Sequence, residues 1–228
     1  MSKSKDKLTT EIQADFDRIA LLPRTNWNHN SHYHGFLMKH IPAQCTEALD
    51  IGCGTGSFTR LLAARSDRVL ALDLSPQMIR VAKERSRGFS NIDFQVADVI
   101  GWEFPTEQFD CIVSIAMLHH LPIEETLCKM KNALKSGGAL VVLDLFQEEG
   151  LRDTLASALA VVVNAVLRLM KNGQLREARG VREAWVKHGE HDSYPTLSEV
   201  QRVCADVLPE AKVRKHLLWR YSVVWGKA

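Results

Sequence analysis

The chain of 228 residues is poor in the features that mark several large protein classes. Glycine and proline contribute only 13 and 7 residues, which excludes collagen-like, linker-rich and low-complexity architectures. Charge of one sign is also missing. Against 29 basic side chains stand 27 acidic ones, and the opening Met1 to Lys7, with Lys3, Lys5 and Lys7 against Asp6, accounts for the whole formal charge of +2. A neutral body speaks against a chain that wraps nucleic acid, which shows as a basic excess. The five cysteines, Cys45, Cys53, Cys111, Cys128 and Cys204, form no CxxC pair and are odd in number. A disulfide framework and a zinc site are therefore not expected, no metal is expected, and a reducing compartment, the cytoplasm, is. The polar residues after Met1 do not read as a signal peptide.

Long hydrophobic runs are equally scarce. Leu155 to Met170, LASALAVVVNAVLRLM, is interrupted by Asn164 and Arg168, and a bilayer-spanning helix needs about 20 residues. A helix buried against the body is expected there, with a homodimer face or a membrane-surface contact as the alternatives. Length and composition fit one domain.

What is present is a strict alternation. A lead segment, Leu8 to Leu22, spaces Ile12, Phe16 and Ile19 as a helix does and stops at Pro23. From Glu47 on, apolar runs alternate with helical patterns: ALDIG and SFTRLLAARS, RVLALDL and SPQMIRVAKERS, NIDFQVAD, FDCIVSI and PIEETLCKMKNALK, then GALVVLDLF. Strands alternating with helices of this length make βαβ units, hence an α/β fold with a parallel sheet covered on both faces. Ser75-Pro76 reads as an N-cap with proline at the first helical position, Ser136-Gly137-Gly138 as a helix stop, and Thr196 to Glu199 as a capping box. VRKHLLWRYSVVW at the end reads as a hairpin that finishes the sheet.

The most informative segment is Ala48 to Gly56, ALDIGCGTG, a buried strand running into a glycine turn and then a helix. Glycines at 52, 54 and 56 let the backbone turn tightly and approach a ligand. Asp73 ends the next strand, where a carboxylate can accept both hydroxyls of a ribose, and Asp98 ends the third, in VADV. Ligands of open α/β sheets lie outside the carboxyl ends of the strands, so these groups describe one nucleoside site. The G-x-G-x-x-G of dinucleotide sites is absent, position 57 being Ser, and no G-K-[ST] follows for a nucleoside triphosphate. Asp50, just before the turn, repels a pyrophosphate and suits a ligand with an ammonium or sulfonium charge.

The set LDIGCGTG, ALDLSPQMI, VAD, FDCIVSIAMLHHL and LKSGGALVVLD resembles the class I S-adenosylmethionine-dependent methyltransferases, in their small-molecule branch with the quinone-biosynthesis enzymes. The resemblance covers roughly Asn28 to Asp144. It implies a Rossmann-like seven-stranded, mostly parallel sheet with a C-terminal antiparallel hairpin and helices on both faces. It implies a cap over 1–44, a cofactor core over 45–146, a helical substrate lid over 147–207 and sheet strands over 208–228. Asp50, Gly52, Cys53 and Gly54 would hold the methionine part of S-adenosylmethionine, and Asp73 the ribose hydroxyls. Leu74 and Met78 would sandwich the adenine, with Ala97, Asp98 and the backbone of Val99 along its edge. Ile115, Ala116, Met117 and His120 would line the sulfur, and Tyr33, with His34, would touch the cofactor from the N-terminal segment.

For such an enzyme the methyl is already activated, so the chain must place the reactants, exclude water and, where the nucleophile carries a proton, remove it. His119, His188 and His191, the last two flanking Asp192, are the candidate bases. The expected partner is a small-molecule methyl acceptor. RNA or protein methylation and a non-catalytic cofactor-binding subunit are the alternatives; the first lacks the [DN]-P-P-[YF] motif here, where the chain reads SIAML.

Overall fold

A computed structural model describes residues 2–23, 27–190 and 192–228. Its centre is a seven-stranded sheet formed by β1 (Cys45–Ile51), β2 (Ser66–Asp73), β3 (Ile92–Val96), β4 (Phe109–Ile115), β5 (Leu134–Leu145), β6 (Lys212–His216) and β7 (Arg220–Gly226). The order is β3-β2-β1-β4-β5-β7-β6; β1 to β5 run parallel, and β7 lies antiparallel to both β5 and β6. This is the expected Rossmann-like arrangement. The chain reverses its direction of travel between β1 and β4, which opens a crevice at their carboxyl ends.

Side chains alternate across the sheet, as the pleat requires, and each face carries its own core. Leu49, Ile51, Leu72, Ile112, Leu140, Val142 and Val223 face α6 (Ile123–Ala133) and α9 (Leu197–Val207). Ala48, Val69, Cys111, Val113, Val141 and Leu143 face the other way, toward α3 (His34–Met38), α4 (Thr59–Ala63) and α7 (Leu151–Asn172). Beside them, Ala71 and Phe94 pack on Ile79 and Ala82 of α5 (Pro76–Arg85). The lead helix α1 (Ser2–Ala20) lies across α5 through Phe16, Ile19 and Ala20, and α8 (Arg179–Gly189) packs on it in turn. The short α2 (His29–His32) precedes α3.

Local signals are met in detail at Ser75, whose hydroxyl accepts from the Met78 amide at 3.0 Å, and at Thr196, which forms a complete capping box with Glu199. Two expectations are corrected. Ser136-Gly137-Gly138 does not end a helix: α6 stops at Ala133, and the glycines sit inside β5, where the register against β4 shifts between Phe109 and Cys111. The Leu155 to Met170 run is not buried. It belongs to a helix of 22 residues whose segment Asp153–Asn172 has mean hydropathy 1.6, long and apolar enough to cross a membrane by length and composition. Leu155, Leu159, Val162, Val166 and Leu169 are all exposed, whereas Ala160 is buried, with Val163 and Leu167 packed beside it. The polar residues read as interruptions are used: the Asn164 carbonyl oxygen meets His29 Nε2 at 2.9 Å, Arg168 pairs with Glu177 at 2.6 Å, and Asn172 clasps the backbone of Trp27.

Candidate active site

The carboxyl ends of β1 to β5 open into a cavity of about 800 Å³, within the size range of small-molecule sites. Asp50, Gly52, Cys53, Gly54, Asp73, Leu74, Met78, Ala97, Asp98, Val99, Ile115, Ala116, Met117, His119 and His120 line it, together with His34. One cavity therefore gathers nearly every position singled out from the sequence.

On its β1–β3 side the wall consists of bare backbone and buried carboxylates. Gly52 has φ +72°, and its amide donates to the Leu72 carbonyl at 2.8 Å, which ties the turn to β2. A Cβ there would stand 2.6 Å from Met117 Cγ. At Gly54, φ +52°, a Cβ would meet nothing within 4 Å, so the backbone itself faces the open space. Gly52→Ala is thus expected to cost about 1–3 kcal/mol of stability from the left-handed strain and the collision, read as a lowered melting temperature; an unchanged one would mean that the turn tolerates a side chain.

Asp50 is almost fully buried and accepts a hydrogen bond from Thr59 Oγ1 at 2.6 Å. Burial pushes its carboxyl up to about 7, with the nearby Asp73 charge adding to the rise. Asp73 Oδ2 accepts from the Gly54 amide at 2.7 Å and Oδ1 from the Ser75 amide at 2.9 Å. Burial lifts it too, to about 6, against those two bonds. Two carboxylates held out of water by the fold are costly when ionised, and a cation that also offers hydroxyl donors relieves both. Asp98 differs: it lies two residues beyond the end of β3, exposed at the cavity rim, with Oδ1 accepting from the Ile100 amide at 3.0 Å.

On the β4–β5 side the cavity meets histidines. Ala116 leaves β4 with φ +52°, a left-handed conformation that a non-glycine residue holds only under tertiary constraint. A short 3-10 helix, Leu118–His120, follows. His119 Nδ1 lies 2.6 Å from Asp144 Oδ1, and its backbone amide donates to Asp144 Oδ2 at 2.9 Å. Asp144, fully buried at the end of β5, thereby holds both the ring and the backbone of His119, and Nε2 makes no hydrogen bond among the described residues. The rings of His120 and Tyr194 lie 4.0 and 5.0 Å from that of His119. Burial drives His120 down to about 4 and His34, across the cavity, also to about 4, so both are neutral near neutrality. Tyr194 donates to Asp192 Oδ2 at 2.6 Å. His119, His120 and Asp192 each offer a ligand atom, all within 4.8 Å of one another, a spacing that could hold a metal ion; Asp192 is too far along the chain from the histidine pair for any spacing motif to have shown it.

Two positions are not brought to the cavity. Tyr33 is buried, gives its hydroxyl proton to the Leu217 carbonyl and packs on His216, because the α2–α3 corner turns it inward and its neighbours Asn30, Ser31 and His34 outward. His188 lies behind the wall, 3.6 Å from both Asp15 and Asp192 and packed on Phe16. His191 falls outside the described residues. Sequence reasoning also missed Asp144 and Arg220, although each is a lone charge inside an apolar strand pattern, VVLDLF and LLWRYSVVW.

Comparison with known proteins agrees with this geometry. A family profile described as a methyltransferase domain matches residues 48–138. An uncharacterized methyltransferase of Mycobacterium tuberculosis is 31% identical over 205 residues, 87% of this chain and 96% of the relative. A demethylmenaquinone methyltransferase of Tropheryma whipplei is 33% identical over 145 residues, 60% of each chain. The N-methyltransferase NodS of Bradyrhizobium japonicum, solved with S-adenosylhomocysteine, superposes with a TM-score of 0.64 over 95% of this chain and 98% of its own at 18% identity, a likeness of fold. A glycine turn between two buried carboxylates, on this sheet order and with a near full-length relative of this kind, makes the chain a member of the class I S-adenosylmethionine-dependent methyltransferases.

Proposed function

We propose that the chain transfers the methyl group of S-adenosylmethionine to a nucleophilic O, N, S or C atom of a small metabolite, and that His119 removes the proton where that atom carries one. The observation that carries the reading is the convergence of Asp50, Asp73 and the His119–Asp144 pair on one cavity. The residues fit the cofactor: Asp73 for the ribose hydroxyls, the bare turn at Gly52 to Gly54 and Asp50 for the positively charged methionine portion, Leu74 and Met78 for the adenine. When bound, the cofactor supplies a methyl activated by its sulfonium.

The chain's own tasks are then placement and proton removal. Asp144 accepts from Nδ1 of the His119 ring, so Nε2 is the nitrogen left to take the acceptor's proton. Trp185, Trp219, Phe16 and Phe146 give the cavity apolar walls, which suit a partly apolar acceptor and exclude water. The quinone acceptor named for the Tropheryma relative is of this kind. The segment 147–207 supplies Trp185 from α8 and Tyr194 from the connection between α8 and α9 and serves as the substrate lid, and small acceptors rather than nucleic acid fit the balanced charge. Incubation with methyl-labelled S-adenosylmethionine and a panel of phenolic, hydroquinone and amine acceptors tests the reading. Label should pass to at least one acceptor, and at sub-saturating cofactor roughly 10–100-fold more slowly with Asp73→Ala; label remaining in the cofactor across the panel would contradict it.

A further inference from the structure

The cavity wall on the far side of β5 holds a cation that no carboxylate among the described residues pairs with. Arg220, the first residue of β7, is only 7% exposed, yet its guanidinium has no carboxylate within 4.0 Å among the described residues. Nε donates to Asn30 Oδ1 at 2.9 Å, and Nη1 makes long contacts of 3.4 and 3.3 Å to the Leu218 and Trp219 carbonyls. Nη2 makes no hydrogen bond among the described residues. Burial lowers Arg220 to about 10, although Asp144, Tyr33 and Tyr194 pull the other way.

The nearby groups that could pair with it are committed elsewhere. Both Asp144 oxygens serve His119 and the Leu145 amide, Tyr194 is bonded to Asp192, and Tyr33 to the Leu217 carbonyl. Arg168, another arginine of the cavity, shows the contrast: Glu177 neutralises it at 2.6 Å. A buried cation without a partner is expensive to keep, and the fold also holds Leu218 and Trp219 at φ +59° and +58° to aim this corner. Strain of this kind collects at ligand sites.

We infer that Arg220 anchors a carboxylate carried by the methyl acceptor. The inference rests on the methyltransferase reading and narrows its substrate class. A guanidinium with a free donor face matches a carboxylate in charge and geometry, and one cation matches one negative charge. The cofactor's own carboxylate is a poor occupant. Three strand spacings separate β7 from the glycine turn of β1, roughly 14 Å at about 4.8 Å each, and Arg220 lies across β5 from His119. The acceptor thus presents its nucleophile to His119 and its carboxylate to Arg220, two groups on either side of β5.

The test titrates benzoate, benzamide and phenyl phosphate into the wild-type chain with and without saturating S-adenosylhomocysteine, by calorimetry. Benzoate is expected to bind at least ~10-fold tighter than benzamide, the margin of a charge-assisted bond, and tighter than phenyl phosphate. Arg220→Gln should erase the benzoate preference, Arg220→Lys should keep part of it, and both should leave S-adenosylhomocysteine affinity within ~2-fold. Equal binding of benzoate and benzamide, phenyl phosphate matching benzoate, or a large loss of S-adenosylhomocysteine affinity in Arg220→Gln would overturn the inference. If Arg220→Gln fails to fold, the wild-type comparison and Arg220→Lys still decide. Failure of S-adenosylhomocysteine to bind the wild type would instead sink the methyltransferase reading, and the benzoate arm without it would still report on Arg220.

Discussion

His119→Ala is expected to slow methyl transfer to a proton-bearing acceptor by roughly 10²–10⁴-fold, the usual contribution of a positioned base, with S-adenosylmethionine affinity unchanged. The affinity should hold because His119 belongs to the β4–β5 wall, away from the Asp50 and Asp73 side. Asp144→Asn should lose a comparable factor by a different route. An asparagine can no longer accept the ring Nδ1 proton, the backbone amide of His119 and the Leu145 amide together, so the imidazole loses its fixed tautomer. Single-turnover rates measured with the cofactor saturating separate this from a binding defect. The loss should shrink for an acceptor already deprotonated at the assay pH. Equal losses for protonated and deprotonated acceptors would contradict the base assignment.

Asp50→Asn should move stability and function in opposite directions. The folded-state value of Asp50, about 7, exceeds its ordinary 3.8, so between those limits the folded chain holds a proton that the unfolded chain has released. Stability contributed by this group therefore falls as pH rises from about 4 to 7, and the cost is fully present above it. Asparagine never ionises. Above pH 7 the ligand-free variant should be more stable than wild type by about 2–4 kcal/mol, a difference that fades toward pH 4. Denaturant unfolding across that range measures it. The comparison must be made as a difference between variant and wild type, because His34 and His120, both lowered to about 4, titrate in the opposite sense over part of the same window. Meanwhile S-adenosylmethionine affinity should drop by roughly 10–100-fold, and that of S-adenosylhomocysteine, which keeps the ammonium but lacks the sulfonium charge, by less. A variant with unchanged pH dependence would mean that Asp50 is not raised.

The sheet and the cofactor side of the cavity were legible in the sequence because both are local. Period-two alternation, the Ser75 cap and the glycine turn are each written within a few residues, and strand order places Asp50 and Asp73 side by side once the βαβ rule is applied. The β4–β5–β7 side was much less so. Asp144 meets His119 across 25 positions and Arg220 meets Asn30 across 190, and no spacing rule reaches that far. The same limit explains Tyr33: the sequence shows a polar N-terminal segment, but which side of a two-turn corner faces inward depends on what packs behind it. For α7 the apolar count predicts burial, whereas its outer stripe is exposed and Asn164 and Arg168 are bonded inward.

The central claim is that Asp50, Asp73 and the backbone at Gly52 to Gly54 form a receptor for a positively charged adenosyl compound. Calorimetric titration of the wild type and Asp73→Ala with S-adenosylmethionine, with NADH as the control, tests it most directly. One-to-one binding of S-adenosylmethionine is expected, none of NADH, and a loss of roughly 10–100-fold in Asp73→Ala, the cost of leaving buried hydroxyls unpaired. Binding of NADH in place of S-adenosylmethionine, or undiminished affinity in Asp73→Ala, would contradict it.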